Sequence, residues 1–328
     1  MMKKFTREEL YKLIDGLLKG FEVIGPRELA GKGISYQAIT ATPDLYLGDG
    51  FTLEPVKKFF FSPSEYLFAQ ANGSWEEMPL GKSKRVIFGV RPCEARGLTL
   101  LDKIFDAPEY ADDSYVSRRK NTAIIGLSCL NPGKDCFCTS LGGSPLDGRG
   151  MDALIFACAE RFIAEIATEK GKEIFSGLGK DLTTEEREAW LQDKKKRKTP
   201  GQINLPESLD AVFKSDYWRK VSFACIGCGI CTYLCPTCHC FDLADEGRRK
   251  LRCYDGCAFG DFTREASGVN PRLTKKERYR QRVFHKFDYF KKNFGENLCV
   301  GCARCIRHCP VKMDISEIVR NVSLEAKA

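Results

Sequence analysis

The chain has only three histidines among its 328 residues, and none has a carboxylate at the spacing zinc hydrolases use, so histidine catalysis finds no support. Nucleotide signatures are missing too. No G-x-G-x-x-G follows an expected strand, and Pro79-Leu-Gly-Lys-Ser83 ends like a phosphate loop but has Glu76 where its first glycine belongs. We therefore expect no nucleotide or flavin bound by this chain itself. Long apolar runs are absent as well. Ala153–Ala159 is strand-sized, well short of the roughly 18 residues a membrane helix requires. The opening Met-Met-Lys-Lys-Phe-Thr-Arg-Glu-Glu has no apolar segment behind its lysines, so we expect no secretory signal and a cytoplasmic location. A hydrophobic content of 43% with 29% charged residues excludes a disordered or fibrous chain, and the length suggests about two domains.

Cysteine is what the chain has in abundance, 17 in all. In a reducing compartment that many thiols read as metal ligands, not disulfides. From Val221 to the C-terminus there are 19 Lys/Arg against 12 Asp/Glu, a net of +7, while the first 220 residues hold 33 against 32. That basic last third also holds 12 of the 17 cysteines. Nucleic-acid binding is one explanation of a basic domain. The other is neutralisation of metal centres. A four-iron cluster on four thiolates carries about −2 when oxidised, so two would cancel roughly half the excess.

Thr6 and Glu9 can form a capping box for a helix with Leu10, Leu13, Ile14, Leu17 and Leu18 on one face. Arg85–Val90 is a short β-rich run, followed by a turn at Arg91-Pro92-Cys93 and a helix to about Phe105. Thr122–Leu127 is a second strand run and Asp152–Ala157 a third. Strand, helix, strand at this spacing predicts a βαβ unit with parallel pairing. Thr183 and Glu186 can cap a solvated connecting helix running into Lys194-Lys-Lys-Arg-Lys198, which Pro200-Gly201 ends. Thr274 with Glu277, and Asp314 with Glu317, mark two later helices.

Two strings carry the chemistry. Cys225-Ile-Gly-Cys228-Gly-Ile-Cys231-Thr-Tyr-Leu-Cys235-Pro236 is C-x2-C-x2-C-x3-C-P, and Cys299-Val-Gly-Cys302-Ala-Arg-Cys305-Ile-Arg-His-Cys309-Pro310 repeats it. Three cysteines at every third residue let one tight loop wrap a cubane, and the fourth leaves on the following helix to ligate the other cluster. We therefore assign Cys225, Cys228, Cys231 and Cys309 to one [4Fe–4S] cluster, and Cys299, Cys302, Cys305 and Cys235 to a second. Zinc ribbons use two separated C-x2-C knuckles instead.

Four cysteines of the α/β region, Cys93, Cys129, Cys136 and Cys138, lie at strand ends and tight turns that can converge, and we expect a third [4Fe–4S] cluster there. Buried or exposed free thiols are the bland alternative. For Cys238, Cys240, Cys253 and Cys257, a further metal site and packing around the first two clusters both remain open. Cys158 lies in an apolar run and is expected in the core.

The two strings start 74 residues apart, wider than in compact bacterial ferredoxins, and resemble the α-helical ferredoxin domains of heterodisulfide-reductase and fumarate-reductase iron–sulfur subunits. Gly89-Val-Arg-Pro-Cys-Glu-Ala-Arg-Gly-Leu98, Cys136-Phe-Cys-Thr-Ser140 and Cys235-Pro-Thr-Cys-His-Cys-Phe241 add a second likeness. With the cluster strings they resemble the dicluster iron–sulfur subunits of cytosolic sulfhydrogenases and anaerobic sulfite reductases, from about Phe60 to Val319. Cys253 stands where that family typically has tryptophan. The resemblance implies an electron-transfer subunit working between a flavin- and NAD(P)-binding reductase subunit and a catalytic subunit. The expected architecture is an α/β domain over 1–190 with parallel-sheet elements, a charged connecting segment over 191–218 and a mainly helical, ferredoxin-like two-cluster domain over 219–328. Two other classes stay open: a catalytic iron–sulfur enzyme with an open iron, and a metal-dependent nucleic-acid-binding protein.

Overall fold

The computed structural model describes residues 1–81, 83–158, 161–196 and 198–325. Its strands are β1 (Met2–Thr6), β2 (Glu22–Leu29), β3 (Gly33–Ala38), β4 (Ser64–Ala71), β5 (Ser74–Glu77), β6 (Arg85–Val90), β7 (Thr122–Leu127), β8 (Ala153–Cys158), β9 (Arg161–Ile166), β10 (Lys180–Asp181), β11 (Phe241–Glu246) and β12 (Arg249–Tyr254). Eight of them form one mixed sheet in the order β10-β1-β9-β8-β7-β6-β2-β3. Its centre, β2, β6, β7 and β8, is parallel, and the expected βαβ unit is β6, the helix Pro92–Phe105 and β7. Every residue of β7 is buried, as a parallel strand covered on both faces requires. One face packs on Leu10, Ile14 and Leu17 of the helix Arg7–Leu17, the other on Leu98, Leu101 and Phe105. The capping box forms as expected: the Glu9 amide donates to Thr6 Oγ1 at 3.2 Å and the Thr6 amide to Glu9 Oε2 at 2.7 Å.

A second sheet is antiparallel throughout, in the order β11-β12-β4-β5. Its strands escaped the sequence reading because they carry little apolar alternation: β5 is exposed at all four positions and β11 at five of six. It is built from both the region expected at 1–190 and the region expected at 219–328. The rest of the last third alternates helices with irregular loops. Lys275–Phe284 continues through a π-helical turn, His285–Tyr289, and packs with Tyr217–Ser222 and Ile315–Glu325 around Trp218, Phe284, Phe287 and Val319. Thr274 with Glu277 and Asp314 with Ser316 make the N-terminal caps. The connecting helix is Thr184–Lys196, with Thr183 and Glu186 exchanging cap bonds. Lys82, Ala159, Arg197 and the Cys158 side chain, all named in the sequence reading, lie outside the described residues.

The two regions are joined by packing. Leu100 of the helix after β6 shares a hydrophobic cluster with Phe290, Leu298, Val300 and Cys302, while Phe137 and Leu141 enter the C-terminal core. The carboxyl ends of β6 and β7 therefore face the second cysteine string. Among the described residues no helix is long and apolar enough to cross a membrane.

Candidate metal centre

The two cysteine strings fold alike. Gly227 and Gly301 both take positive φ, 69° and 66°. Their amides donate to the first sulfur of each string, Gly227 to Cys225 Sγ at 3.4 Å and Gly301 to Cys299 Sγ at 3.5 Å. Gly229 and Ala303 are left-handed, with φ of 75° and 58°, and open the short helices Ile230–Tyr233 and Arg304–Arg307 that carry Cys231 and Cys305. The two helices pack on each other. Amides aimed at sulfur stabilise thiolates, as cluster ligands require.

Cys225, Cys228 and Cys231 line one cavity, and Cys309 of the other string lines it with them. Cys305 reaches the same wall. Around the second string, Cys299 and Cys305 feel each other's neighbours: Cys235 and Cys302 act on both thiols. Among the described residues, no three Cys, His, Asp or Glu groups gather closely enough to share one metal ion. A four-iron cubane asks for a wider ring, because its four thiolates bind four separate corners. Burial pushes the Cys299 thiol up to about 11, so binding a metal there must displace a proton.

Cys93, Cys129, Cys136 and Cys138 also line a single cavity, and Cys302 closes it. Cys93 sits in the first turn of the helix after β6, where a bulge between Phe88 and Val90 re-aims the strand end. Cys129 follows β7, which pairs with β6 in parallel, so the two strand ends meet. The Cys136–Cys138 loop is tied to the second string, with the Phe137 amide donating to Gly301 O at 3.0 Å. A Cβ on Gly301 would lie 2.5 Å from the Cys138 amide nitrogen, so only glycine permits this approach. Burial pushes the Cys129 thiol up to about 11 and the Cys138 thiol up to about 12.

Buried cations surround these thiols. The Lys286 ammonium, buried on a helix of the C-terminal core, donates to Cys235 Sγ at 3.2 Å and to Thr237 Oγ1 at 3.1 Å. Arg282 reaches Cys238 Sγ at 3.6 Å and the Cys231 carbonyl at 2.9 Å; Arg307 reaches Cys136 Sγ at 3.7 Å and the Cys302 carbonyl at 2.8 Å. Arg304, fully buried, pairs with Glu94 at 2.9 Å. Its Nη1, with Nε and Nη1 of Arg96, finds no hydrogen-bond partner among the described residues. Arg304 acts on Cys302 and Cys93, and Arg96 on Cys138. Buried guanidinium donors left over beside thiol-lined cavities fit anionic centres held there. The sequence reading gave none of these cations a role. Their signal was the basic excess of the last third, which gives the charge but not the positions.

The fourth set does not gather like the others. Cys238 acts on Cys235, whose thiol that neighbour and the Lys286 ammonium hold well below the usual range. Cys240 and Cys257 act on one another, whereas the charged groups acting on Cys253 are Asp242 and Asp255. His239 and His285 meet ring to ring at 5.3 Å, and burial holds them down to about 4 and about 3, so both are neutral at pH 7.

Paired strings on an α/β platform define an iron–sulfur protein, and residues 224–313 match the family described as the 4Fe-4S dicluster domain. Over 300 residues the chain is 32% identical to sulfhydrogenase 2 subunit beta of Pyrococcus furiosus, covering 88% of each protein. The chain belongs to the sulfhydrogenase beta-subunit family, and it is an iron–sulfur electron-transfer protein. No solved structure matches it.

Proposed function

We propose that this chain is the electron-relay subunit of a hetero-oligomeric oxidoreductase, working between a flavin- and NAD(P)-binding reductase subunit and a catalytic subunit. The observation that carries the reading is the continuity of the thiol sets. Cys305 of the middle set also lines the first cavity, and Cys302 of the same set also lines the third. Cys225, Cys228, Cys231 and Cys309 hold the first [4Fe–4S] cluster; Cys299, Cys302, Cys305 and Cys235 hold the second; Cys93, Cys129, Cys136 and Cys138 hold a third. Clusters bound there supply one-electron redox chemistry. The residues of the chain fix the order of the sites, exclude water from the middle one and present Lys286, Arg304 and Arg96 to the charge. Cys238, Cys240 and Cys257 pack beside the first two sites. The domain limits 1–190 and 219–328 mark the two halves of the relay.

The test is iron per chain after anaerobic purification. Three four-iron centres give about twelve irons, and Cys136→Ala lowers the count by about four while leaving the signals of the other two centres intact. A full-length protein with about eight irons that Cys136→Ala does not change removes the third site. Stoichiometric zinc with little iron overturns the whole reading.

A further inference from the structure

Of the cysteines described, Cys228 alone is exposed; those of the second and third sites are buried or half-buried. The first site is thus where the relay comes nearest to solvent, and the surface around it is unusual. Phe223 is 84% exposed, Ile226 63% and Leu273 73%. Ile226 lines the first cavity itself, and Phe223 is fastened to its rim by Lys275, whose ammonium donates to the Phe223 and Cys225 carbonyls, both at 3.0 Å. Arg278 joins Leu273 to the same rim, donating to its carbonyl at 2.7 Å and lining the adjoining cavity beside Cys225. Large apolar side chains this exposed around one site mark an interaction surface.

The helix beside this apolar centre is strongly basic, and exposed Asp261, which follows Gly260 beside Arg278, is paired with Arg264 at 3.3 Å. Between 272 and 280, leaving out buried Arg282, there are five Lys/Arg and one Asp/Glu. Glu277 is engaged by the Thr274 amide at 2.9 Å, and Asp216, at the start of the neighbouring helix, by Arg219 at 2.7 Å. Neutralisation of the buried sites does not account for this face. That role falls to Arg282, Lys286 and Arg304, which are buried, whereas Lys275 is exposed and Lys276 and Arg278 are half-buried.

We propose that this face docks an acidic one-electron carrier protein whose own docking surface is apolar at the centre and ringed by carboxylates. The inference rests on the electron-relay reading and extends it to a partner. The reduced carrier loses one electron and is oxidised, the first site gains it and is reduced, and no other reactant is required. Opposite charge steers the encounter, and the apolar centre holds the pair once formed.

The experiment uses the full chain, loaded with iron, and stopped-flow mixing with a reduced, small acidic bacterial ferredoxin as the probe. The expected electron-transfer rate is high at low salt and falls about tenfold or more as ionic strength is raised. The double variant Lys220→Glu/Lys276→Glu, exposed Lys220 and half-buried Lys276 both bearing on Asp216 beside this face, slows the ferredoxin reaction about tenfold with iron content unchanged. Phe223→Ser weakens the complex without altering the salt dependence. Basic cytochrome c, used as an electron acceptor, reacts no more slowly with the double variant than with the unaltered chain. A double variant that keeps its iron and reacts with ferredoxin at the unaltered rate overturns the proposal. So does a single-stranded RNA oligonucleotide that binds this face more tightly than ferredoxin does. Loaded protein that dithionite cannot reduce overturns the relay reading, and this proposal with it.

Discussion

The two cysteine strings have the same spacing and the same local backbone, yet they occupy opposite environments. At the first, Cys228 and Ile226 face solvent. At the second, Val300, Cys302 and Ala303 are buried, and the loop leans on the α/β half through Gly301. The difference teaches that the string dictates the wrap of the loop, through the left-handed glycine and the amide–sulfur bond. What the site can exchange electrons with is decided by what the rest of the chain places against it. A ligand loop is local; its accessibility is a property of the fold.

The pair Gly227 and Gly301 tests that difference most strongly. Both have positive φ, so alanine costs about 1–2 kcal/mol of backbone strain at either position. At Gly227 the new Cβ meets only Ala258 O, at an ordinary 3.6 Å. At Gly301 it meets the Cys138 amide nitrogen at 2.5 Å. Gly301→Ala is expected to lose iron from the second and third sites together, about eight of about twelve, whereas Gly227→Ala keeps most of its iron. Equal losses in the two variants would remove the distinction between the strings.

The second expected effect lies at the joint between the halves. Glu94, at the start of the helix after β6, is fully buried and accepts from Arg304 at 2.9 Å, Tyr36 Oη at 2.7 Å and the Val56 amide at 3.0 Å. Glu94→Ala leaves Arg304 charged and buried without its partner, a loss of about 3–5 kcal/mol. Chemical denaturation of the two proteins, compared with iron bound, checks the figure.

Much of this was legible in the sequence, for identifiable reasons. The cluster strings are contiguous, so their chemistry could be read from spacing alone. The helix starts at Thr6, Thr183 and Thr274 were legible because capping boxes are local. The parallel pair β6 and β7 followed from a strand–helix–strand run of ordinary length. The second sheet was not legible, because β4 and β12 pair across about 180 residues and neither alternates cleanly. Lys286, Arg304 and Arg96 were hidden for a related reason: a buried cation looks like a surface one until the fold closes over it.

The smallest expected change is electronic. Lys286 sits 3.2 Å from Cys235 Sγ with no access to solvent, so its charge favours the more negative, reduced state of the second site. Lys286→Met is expected to lower the reduction potential of that site and leave the first site's potential almost unchanged. Lys286→Arg keeps the charge and retains most of the potential. Redox titration followed by electron paramagnetic resonance separates the two sites. Equal shifts at both sites would mean that Lys286 acts through the fold and not through Cys235.

The central claim is that the strings exchange their fourth ligands, and Cys309 tests it most directly because it lines the cavity of the first string while belonging to the second. The measurement is site-resolved electron paramagnetic resonance of Cys309→Ser beside Cys235→Ser, each in the full-length, iron-loaded chain. The account predicts that Cys309→Ser alters the signal of the site built on Cys225, Cys228 and Cys231, and that Cys235→Ser alters the one built on Cys299, Cys302 and Cys305. Damage confined in each variant to the site of its own string would contradict it.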